Sequence, residues 1–320
     1  MNDIIEHARL LLGKRQPEEA LGALRAEVER GNALAARELG LWFLQGAGVG
    51  RDLAASRSCF EQGATLGDAV SATVVRAFLA QGTGGPADWP KVLALLDEAA
   101  ASDPEARRQR TLIGAMQLGS DGAPLEGLDG VTLNEDPLVM RFPSFLSSAE
   151  CDYLASVAEP MMRPSVIVDP HSGRQVANPI RTSHGAAFPF VDENPAINAI
   201  NRRIAAASGS DVRCGEPLQV LRYAPGQEYR LHSDALPGCP PAQQRVTTFL
   251  IWLNDDYLGG ETEFPQVRLK LRGRKGDGLL FRNAAPDGAP DMRAAHAGLP
   301  VTAGVKMLAS RWIRATPLIY

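Results

Sequence analysis

The sequence predicts an α+β multidomain protein, with all-α helical repeats over residues 1–125 and a β-rich domain, a barrel or jelly roll, over residues 126–320. Three observations carry this reading: similar helical segments recur at a fixed spacing, a Gly/Asp/Pro-rich stretch breaks them, and short β-type runs follow. A chain of 320 residues is long enough for about two domains. Its hydrophobic share of 45% with 22% charged residues excludes a disordered, collagen-like or coiled-coil chain.

The helical half declares itself by landmarks. Gly46, Gly82 and Gly119 end similar segments, and Gly31-Asn32-Ala33, Gly67-Asp68-Ala69 and Ser102-Asp103-Pro104 open them, a period of roughly 36 residues. Ala35–Gly40 and Lys91–Leu96 have helix-forming composition with apolar residues three and four apart. The unit is a helix, a Gly-rich turn and a second helix. With Gly46-Ala47-Gly48-Val49, Asp52 and Cys59-Phe60-Glu61-Gln62-Gly63-Ala64, it resembles the Sel-like repeats of the tetratricopeptide class. Later copies depart from that pattern, with Thr83-Gly84-Gly85 in place of the full turn and Trp89 where a plainer residue is usual. Such stacked pairs imply a concave face for a protein or peptide partner, or a scaffold that only supports the second half.

Gly119 to Gly130 marks the break. Beyond it, Leu218–Tyr223, Thr247–Leu253, Gly278–Phe281 and Val305–Ile313 read as strands, separated by turns at Ala224-Pro225-Gly226, Leu258-Gly259-Gly260 and Pro286-Asp287-Gly288. No GxGxxG, P-loop or GxSxG motif is present, so the signatures of dinucleotide folds, NTPases and α/β-hydrolases are missing.

Charge and cysteines narrow the partners. With 33 Lys+Arg against 37 Asp+Glu the net charge is -4, which gives no overall attraction to nucleic acid. The basic run Arg268, Lys270, Arg272, Arg274 and Lys275 reads as a solvated strand face plus a turn. Cys59, Cys151, Cys214 and Cys239 are too scattered for a zinc ribbon, a redox pair or a disulfide framework. The stretch Met1-Asn2-Asp3-Ile4-Ile5-Glu6-His7 lacks a basic segment before an apolar core, and no apolar run reaches the ~18 residues of a membrane span. A cytoplasmic protein without a membrane partner is expected.

The five histidines divide by context. His7 lies at the start of a helical repeat, and His171 and His184 sit among turn residues. His232 differs, because Tyr229–Asp234 reads as a strand on which His232 and Asp234 point to one side. With His296 they make two imidazoles and a carboxylate, a facial set that suits non-haem Fe(II) and leaves coordination positions open. An HxD pair by itself is common by chance. Lys306 adds weight: it sits in an apolar strand, where an unpaired ammonium is costly, and no acidic residue nearby in sequence supplies a partner. A dicarboxylate ligand fits.

From Phe145 onward a series of motifs comes in a recognisable order: Phe145–Cys151, Arg163-Pro164-Ser165, Arg181-Thr182-Ser183, Leu218–Tyr229, His232-Ser233-Asp234, Arg245 and Thr248, Gly259–Pro265, Gly276–Phe281, His296, Lys306 and Trp312. This half resembles the 2-oxoglutarate- and Fe(II)-dependent prolyl 4-hydroxylase family. The resemblance implies a double-stranded β-helix (jelly roll) with flanking helices. It further implies that His232, Asp234 and His296 hold iron, that Lys306 holds the distal carboxylate of 2-oxoglutarate, and that Tyr223 and Thr248 line the cosubstrate pocket. Tyr229, Arg245 and Trp312 match positions near the substrate channel. The implied reaction couples O2 and 2-oxoglutarate to hydroxylation of a C–H bond, releasing succinate and CO2, with ascorbate as reductant.

Departures bear on the substrate. Trp252 replaces a tyrosine common in the family, which removes a hydroxyl from the pocket or reshapes it, and Arg314 stands where eukaryotic members often carry histidine. The segments Ala235–Gln244 and Ser165–Arg181 are lid candidates. The reading is proline 4-hydroxylation in a protein or peptide recruited by the repeats. Alternatives are the same chemistry on a free amino acid or other small molecule, and a scaffold with a vestigial iron site. A zinc hydrolase lacks its HExxH motif.

Overall fold

The computed structural model describes residues 3–168, 175–285 and 287–318. The readings of Met1-Asn2, of the loop around His171 and of Pro286 lie outside these residues, as does part of the Ser165–Arg181 segment.

The chain forms two compact units, Met1–Ala123 with Phe190–Ala199, and Pro124–Pro189 with Ile200–Tyr320. The boundary thus falls at Ala123/Pro124 rather than 125/126, and a later segment returns to the helical unit. The cause is long-range. Phe190 stacks on Phe78 with ring centroids 6.1 Å apart, and the Gln81 amide donates to the carbonyls of Phe190 (2.6 Å) and Glu193 (2.9 Å).

In the helical unit α1 (Asp3–Gly13), α2 (Pro17–Glu29), α3 (Ala33–Gln45), α4 (Leu53–Thr65), α5 (Ala69–Gln81), α6 (Trp89–Ala99) and α7 (Pro104–Gly114) follow one another. The repeat landmarks are helix caps. Asn32, Asp52, Asp68, Asp88 and Asp103 each accept from backbone N–H groups of the first turn they precede. Gly46 and Gly82 close α3 and α5 in the left-handed region, at φ 71° and 82°. Gly119 does not repeat this role: α7 ends at Gly114, and Gly119 instead starts a turn in which its N–H donates to Ala123 O. Trp89 is buried at the first position of α6, with Gly122 packed against its indole.

The second unit is built on two antiparallel sheets. We number β1 (Leu218–Tyr223), β2 (Tyr229–His232), β3 (Arg245–Trp252), β4 (Thr262–Phe264), β5 (Leu269–Leu271), β6 (Gly278–Arg282), β7 (His296–Gly298) and β8 (Lys306–Arg314). The order β6-β3-β8-β1 forms the centre of the larger sheet, extended by Val131–Glu135 and Leu138–Phe142 beyond β6 and by His184–Phe188 and Arg163–Pro164 beyond β1. The smaller sheet has the order β5-β4-β7-β2. Among these eight strands, apart from the β4–β5 pair, successive ones alternate between the two sheets, which is the topology of a double-stranded β-helix; Leu258–Gly259 and Val301–Ala303 form a separate pair. Phe264 of the smaller sheet meets Phe281 of the larger edge to face at 5.0 Å, inside a core that includes Val139, Leu250, Trp252, Leu279 and Leu308. Helix α8 (Ser148–Ala158) starts with a Ser147/Glu150 capping box, and buried Glu150 pairs with Arg203 of α9 (Pro195–Ser208) at 2.7 Å.

Three residues of the basic run engage the protein itself. Lys270 pairs with Glu263 at 3.4 Å, Lys275 with Asp152, and Arg272 donates to the carbonyls of Asp255 and Tyr257. The four cysteines are free thiols. Among the described residues no helix is long and apolar enough to cross a membrane.

Candidate metal and cosubstrate site

Strands β2 and β7 pair antiparallel with His232 opposite His296, so the sheet register sets two imidazoles side by side. Asp234 corrects the strand reading: β2 ends at His232, and Asp234 lies in the following turn, where Ala235 N–H donates to Ser233 Oγ. Even so the three side chains converge. One ligand atom from each lies within 4.8 Å of the others, and Asp234 Oδ1 and Oδ2 stand 3.5 and 3.7 Å from the Nε2 atoms of His232 and His296. Each Nδ1 faces a backbone carbonyl, Arg230 O at 2.8 Å and Ala294 O at 3.2 Å. That contact fixes the tautomer that leaves the Nε2 lone pairs for a metal.

The electrostatics agree with this donor set. Burial pushes His296 down to about 4 against the opposing pull of Asp234, so its ring is neutral at pH 7. Burial also raises the Asp234 carboxyl, but the two imidazoles and the Thr248 hydroxyl outweigh it and hold the group well below the usual carboxylate range. Two imidazole nitrogens and one carboxylate fit Fe(II) and leave positions for a chelating cosubstrate.

Lys306 begins β8 opposite Tyr223 of β1. It is 3% exposed, its ammonium donates to Gly260 O at 2.7 Å, and among the described residues no carboxylate lies within ion-pair distance. Burial lowers it to about 8, opposed by the field of Glu261. A buried cation held by a carbonyl and the Tyr223 ring, 5.6 Å from its centroid, with no carboxylate partner among the described residues, is a receptor for an anion. A narrow recess lined by Lys306 and by all three members of the triad lies between them. Tyr223, Tyr229, Arg181, Ser310 and Trp312 line it too, so the structure unites most of the residues that the sequence singled out. The Tyr229 ring stacks on His232 with centroids 3.4 Å apart. Burial pushes the Tyr223 hydroxyl up to about 12, against the field of Arg181 and a hydrogen bond with Ser183, so it stays protonated.

Five readings change. Thr248 does not line the recess: its hydroxyl is fully buried and donates to Asp234 Oδ2 at 2.7 Å, so it serves the metal ligand rather than the cosubstrate. Arg245 is committed to Glu216 through two hydrogen bonds of 2.7 and 2.8 Å, and its guanidinium lies 3.6 Å over the Trp312 ring. It therefore stacks on Trp312 with its N–H groups engaged by Glu216. Trp252 packs in the core against Gly273 and contributes nothing to the lining of the recess. Arg314 joins Arg245 on Glu216 and also donates to Gln243 O. The Ala235–Gln244 lid candidate is pinned by the buried Gln244 amide, which accepts from Leu236 N–H and donates to Leu236 O.

Two lining residues, Arg181 and Ser310, carry no role in the sequence reading. Ser310 was readable, since Lys306, Leu308, Ser310 and Trp312 share one face of β8 by simple alternation. Arg181 reaches the recess only through the bridge between its backbone and Tyr229, which no local pattern shows.

Residues 218–314, from β1 to β8, match the model of the 2OG-Fe(II) oxygenase superfamily. Prolyl 4-hydroxylase 1 of Arabidopsis thaliana is 36% identical over 195 residues, covering 56% of this chain and 69% of that protein. The chain belongs to the prolyl 4-hydroxylase family. A probable prolyl 4-hydroxylase 3 of the same plant is 34% identical over 203 residues, with 57% and 70% covered. A viral collagen prolyl hydroxylase from Paramecium Bursaria Chlorella virus-1, solved with 2OG, is 32% identical over 56% of this chain and 96% of that one, with a TM-score of 0.46. A Sel1 repeat protein from Oxalobacter formigenes is 26% identical over 34% of this chain and 85% of that one, with a TM-score of 0.29. As a member of the prolyl 4-hydroxylase family the protein is a 2-oxoglutarate-dependent dioxygenase that uses Fe(II).

Proposed function

We propose that the protein 4-hydroxylates proline in a protein or peptide, converting 2-oxoglutarate and O2 to succinate and CO2. The observation that carries this reading is the recess joining an Fe(II)-type triad to a buried, carboxylate-free Lys306, in a chain whose relatives bear the name prolyl 4-hydroxylase. Bound Fe(II) supplies the oxidising chemistry, activating O2 at the expense of 2-oxoglutarate. His232, Asp234 and His296 hold the metal. Lys306 takes the distal carboxylate of 2-oxoglutarate, where burial strengthens the attraction. The protonated Tyr223 hydroxyl is placed to donate to that anion. Tyr229, stacked on His232, and Trp312, clamped by Arg245, form apolar walls that exclude water from the reacting carbon.

The helical repeats are the recruiting surface in this proposal. A groove there has Val28, Leu39, Phe43, Cys59 and Leu66 among its lining, an apolar strip suited to a peptide. Ascorbate serves as the reductant that restores Fe(II) after turnovers without substrate. The test is mass spectrometry of proline-containing proteins and peptides after incubation with Fe(II), 2-oxoglutarate and ascorbate. A gain of one oxygen on proline, matched by succinate, is the expected result. Hydroxylation confined to free amino acids overturns the peptide reading; Arg181, which has no carboxylate partner among the described residues, then becomes the group for the free carboxylate.

A further inference from the structure

Asp234 is the metal ligand with the least local support, because it sits in a turn after β2 and outside the sheet ladder. What ties it down comes from the opposite sheet. Thr248 of β3 donates its hydroxyl to Asp234 Oδ2 at 2.7 Å, and Asn283, just past β6, donates its Nδ2 to that same Thr248 oxygen at 2.8 Å. Thr248 and Asn283 are both buried. The Asn283 backbone is held on both sides, its N–H by Val246 O and its carbonyl by Asp291 N–H, each at 2.9 Å.

A hydroxyl has one proton and two lone pairs. With the Asn283 amide filling the acceptor side, the proton of Thr248 is committed to the carboxylate. Turned over, the amide would offer its oxygen to that proton and leave Asp234 Oδ2 facing a lone pair. The orientation present leaves Asn283 Oδ1 buried without a partner. The end of the amide that faces Thr248 is the end that is satisfied, at 2.8 Å.

We propose that Asn283 is a positioning residue for the metal, setting the direction of the Thr248 hydroxyl and through it the orientation of Asp234. The inference rests on His232, Asp234 and His296 being the Fe(II) ligands. It assigns to the larger sheet the task of fixing a ligand that the smaller sheet carries only in a turn.

The test is anaerobic titration of the full chain with Fe(II) alone, then with 2-oxoglutarate to read the charge-transfer band, alongside thermal unfolding of the metal-free proteins. Asn283→Asp, nearly isosteric but with donor replaced by acceptor, is expected to weaken Fe(II) binding about 10- to 100-fold, as is Thr248→Val. Thr248→Ser keeps the hydroxyl and should stay within about threefold of wild type. Because the two residues act in series, Asn283→Ala should add little once Thr248→Val is present. Wild-type affinity in Asn283→Asp, or equal losses from Asn283→Ala with and without the Thr248 hydroxyl, overturns the proposal. If the Asn283 variants do not fold, Thr248→Val against Thr248→Ser decides, and equal affinity of the two overturns it. His232→Ala separates the premises: undiminished Fe(II) binding there removes the metal assignment itself, whereas its loss beside an unaffected Asn283→Asp leaves the site and removes only the role of Asn283.

Discussion

The helix ends of the first unit are satisfied by near neighbours, whereas the groups around the site of the second are joined across its sheets. In the helical unit Asn32, Asp52, Asp68, Asp88 and Asp103 bond to amides two or three residues ahead of them, and Gly46 and Gly82 close the helices they follow. In the oxygenase unit the polar groups that matter are joined across the sheets, as in Asp234 to Thr248 to Asn283, or Arg245 to Glu216. The helical unit also leaves few charges stranded, while the oxygenase unit keeps Lys306 buried without a carboxylate. The contrast teaches that the repeats are built for local stability and the jelly roll for a ligand. Its site is costly until 2-oxoglutarate and metal are present.

The sharpest way to break this comparison is at the triad. His232→Ala is expected to abolish the charge-transfer band of the Fe(II)·2-oxoglutarate complex and all succinate release while the helical unit keeps its circular dichroism. Persistence of the band would move the metal elsewhere.

Lys306→Met comes next and has two opposite effects. Affinity for 2-oxoglutarate should fall by about 3 kcal/mol or more, roughly a hundredfold, since a desolvated carboxylate loses its buried cation. The metal-free protein should become more stable at pH 7. With the folded lysine at about 8 against an ordinary 10.5, the fold disfavours the protonated form. That penalty, a few kcal/mol by the usual conversion, is fully present below about pH 8 and fades as pH rises towards 10.5. Denaturant midpoints of wild type and Lys306→Met should therefore differ at pH 7 and converge near pH 10.5. A wild type already more stable than Lys306→Met at pH 7 without ligand contradicts the picture of a stranded cation.

His296 sharpens the comparison through acid. Its folded value of about 4 lies below the ordinary 6.5, so between these limits only the unfolded chain takes up the proton. Stability of the metal-free protein should fall as pH drops from 6.5 towards 4, and His296→Gln should flatten that slope.

The smallest effects belong to the caps. Asn32→Ala should cost about 1 kcal/mol. Gly82→Ala should cost about 1–2 kcal/mol, because φ is positive there and the added methyl meets Ala87 N at 3.1 Å. Neither should change Fe(II) affinity, which a metal titration checks directly.

Legibility follows the same division. The caps, the glycines and the strand alternation that sets Lys306 beside Ser310 and Trp312 are written in neighbouring residues, so residue order alone carries them. The triad is readable as residue types in the order of a family. Its geometry is not, for Asp234 leaves the strand that the alternation predicts for it. Family order points Thr248 at the cosubstrate and Arg245 at the substrate channel; both turn elsewhere, because their partners Asp234 and Glu216 are distant in sequence. Asn283 gives no signal whatever.

The sequence by itself determined the repeat period, the helix caps, the strand composition and the residue types gathered at the candidate metal and cosubstrate site. These depend on backbone propensity and side-chain chemistry, which are properties of residues and their near neighbours. The tertiary structure alone decided that His232 faces His296 across β2 and β7, that Phe190–Ala199 joins the helical unit, and that Thr248 spends its proton on Asp234. Those outcomes depend on sheet register and packing between distant segments, where a shift of one residue would send each side chain to the other face.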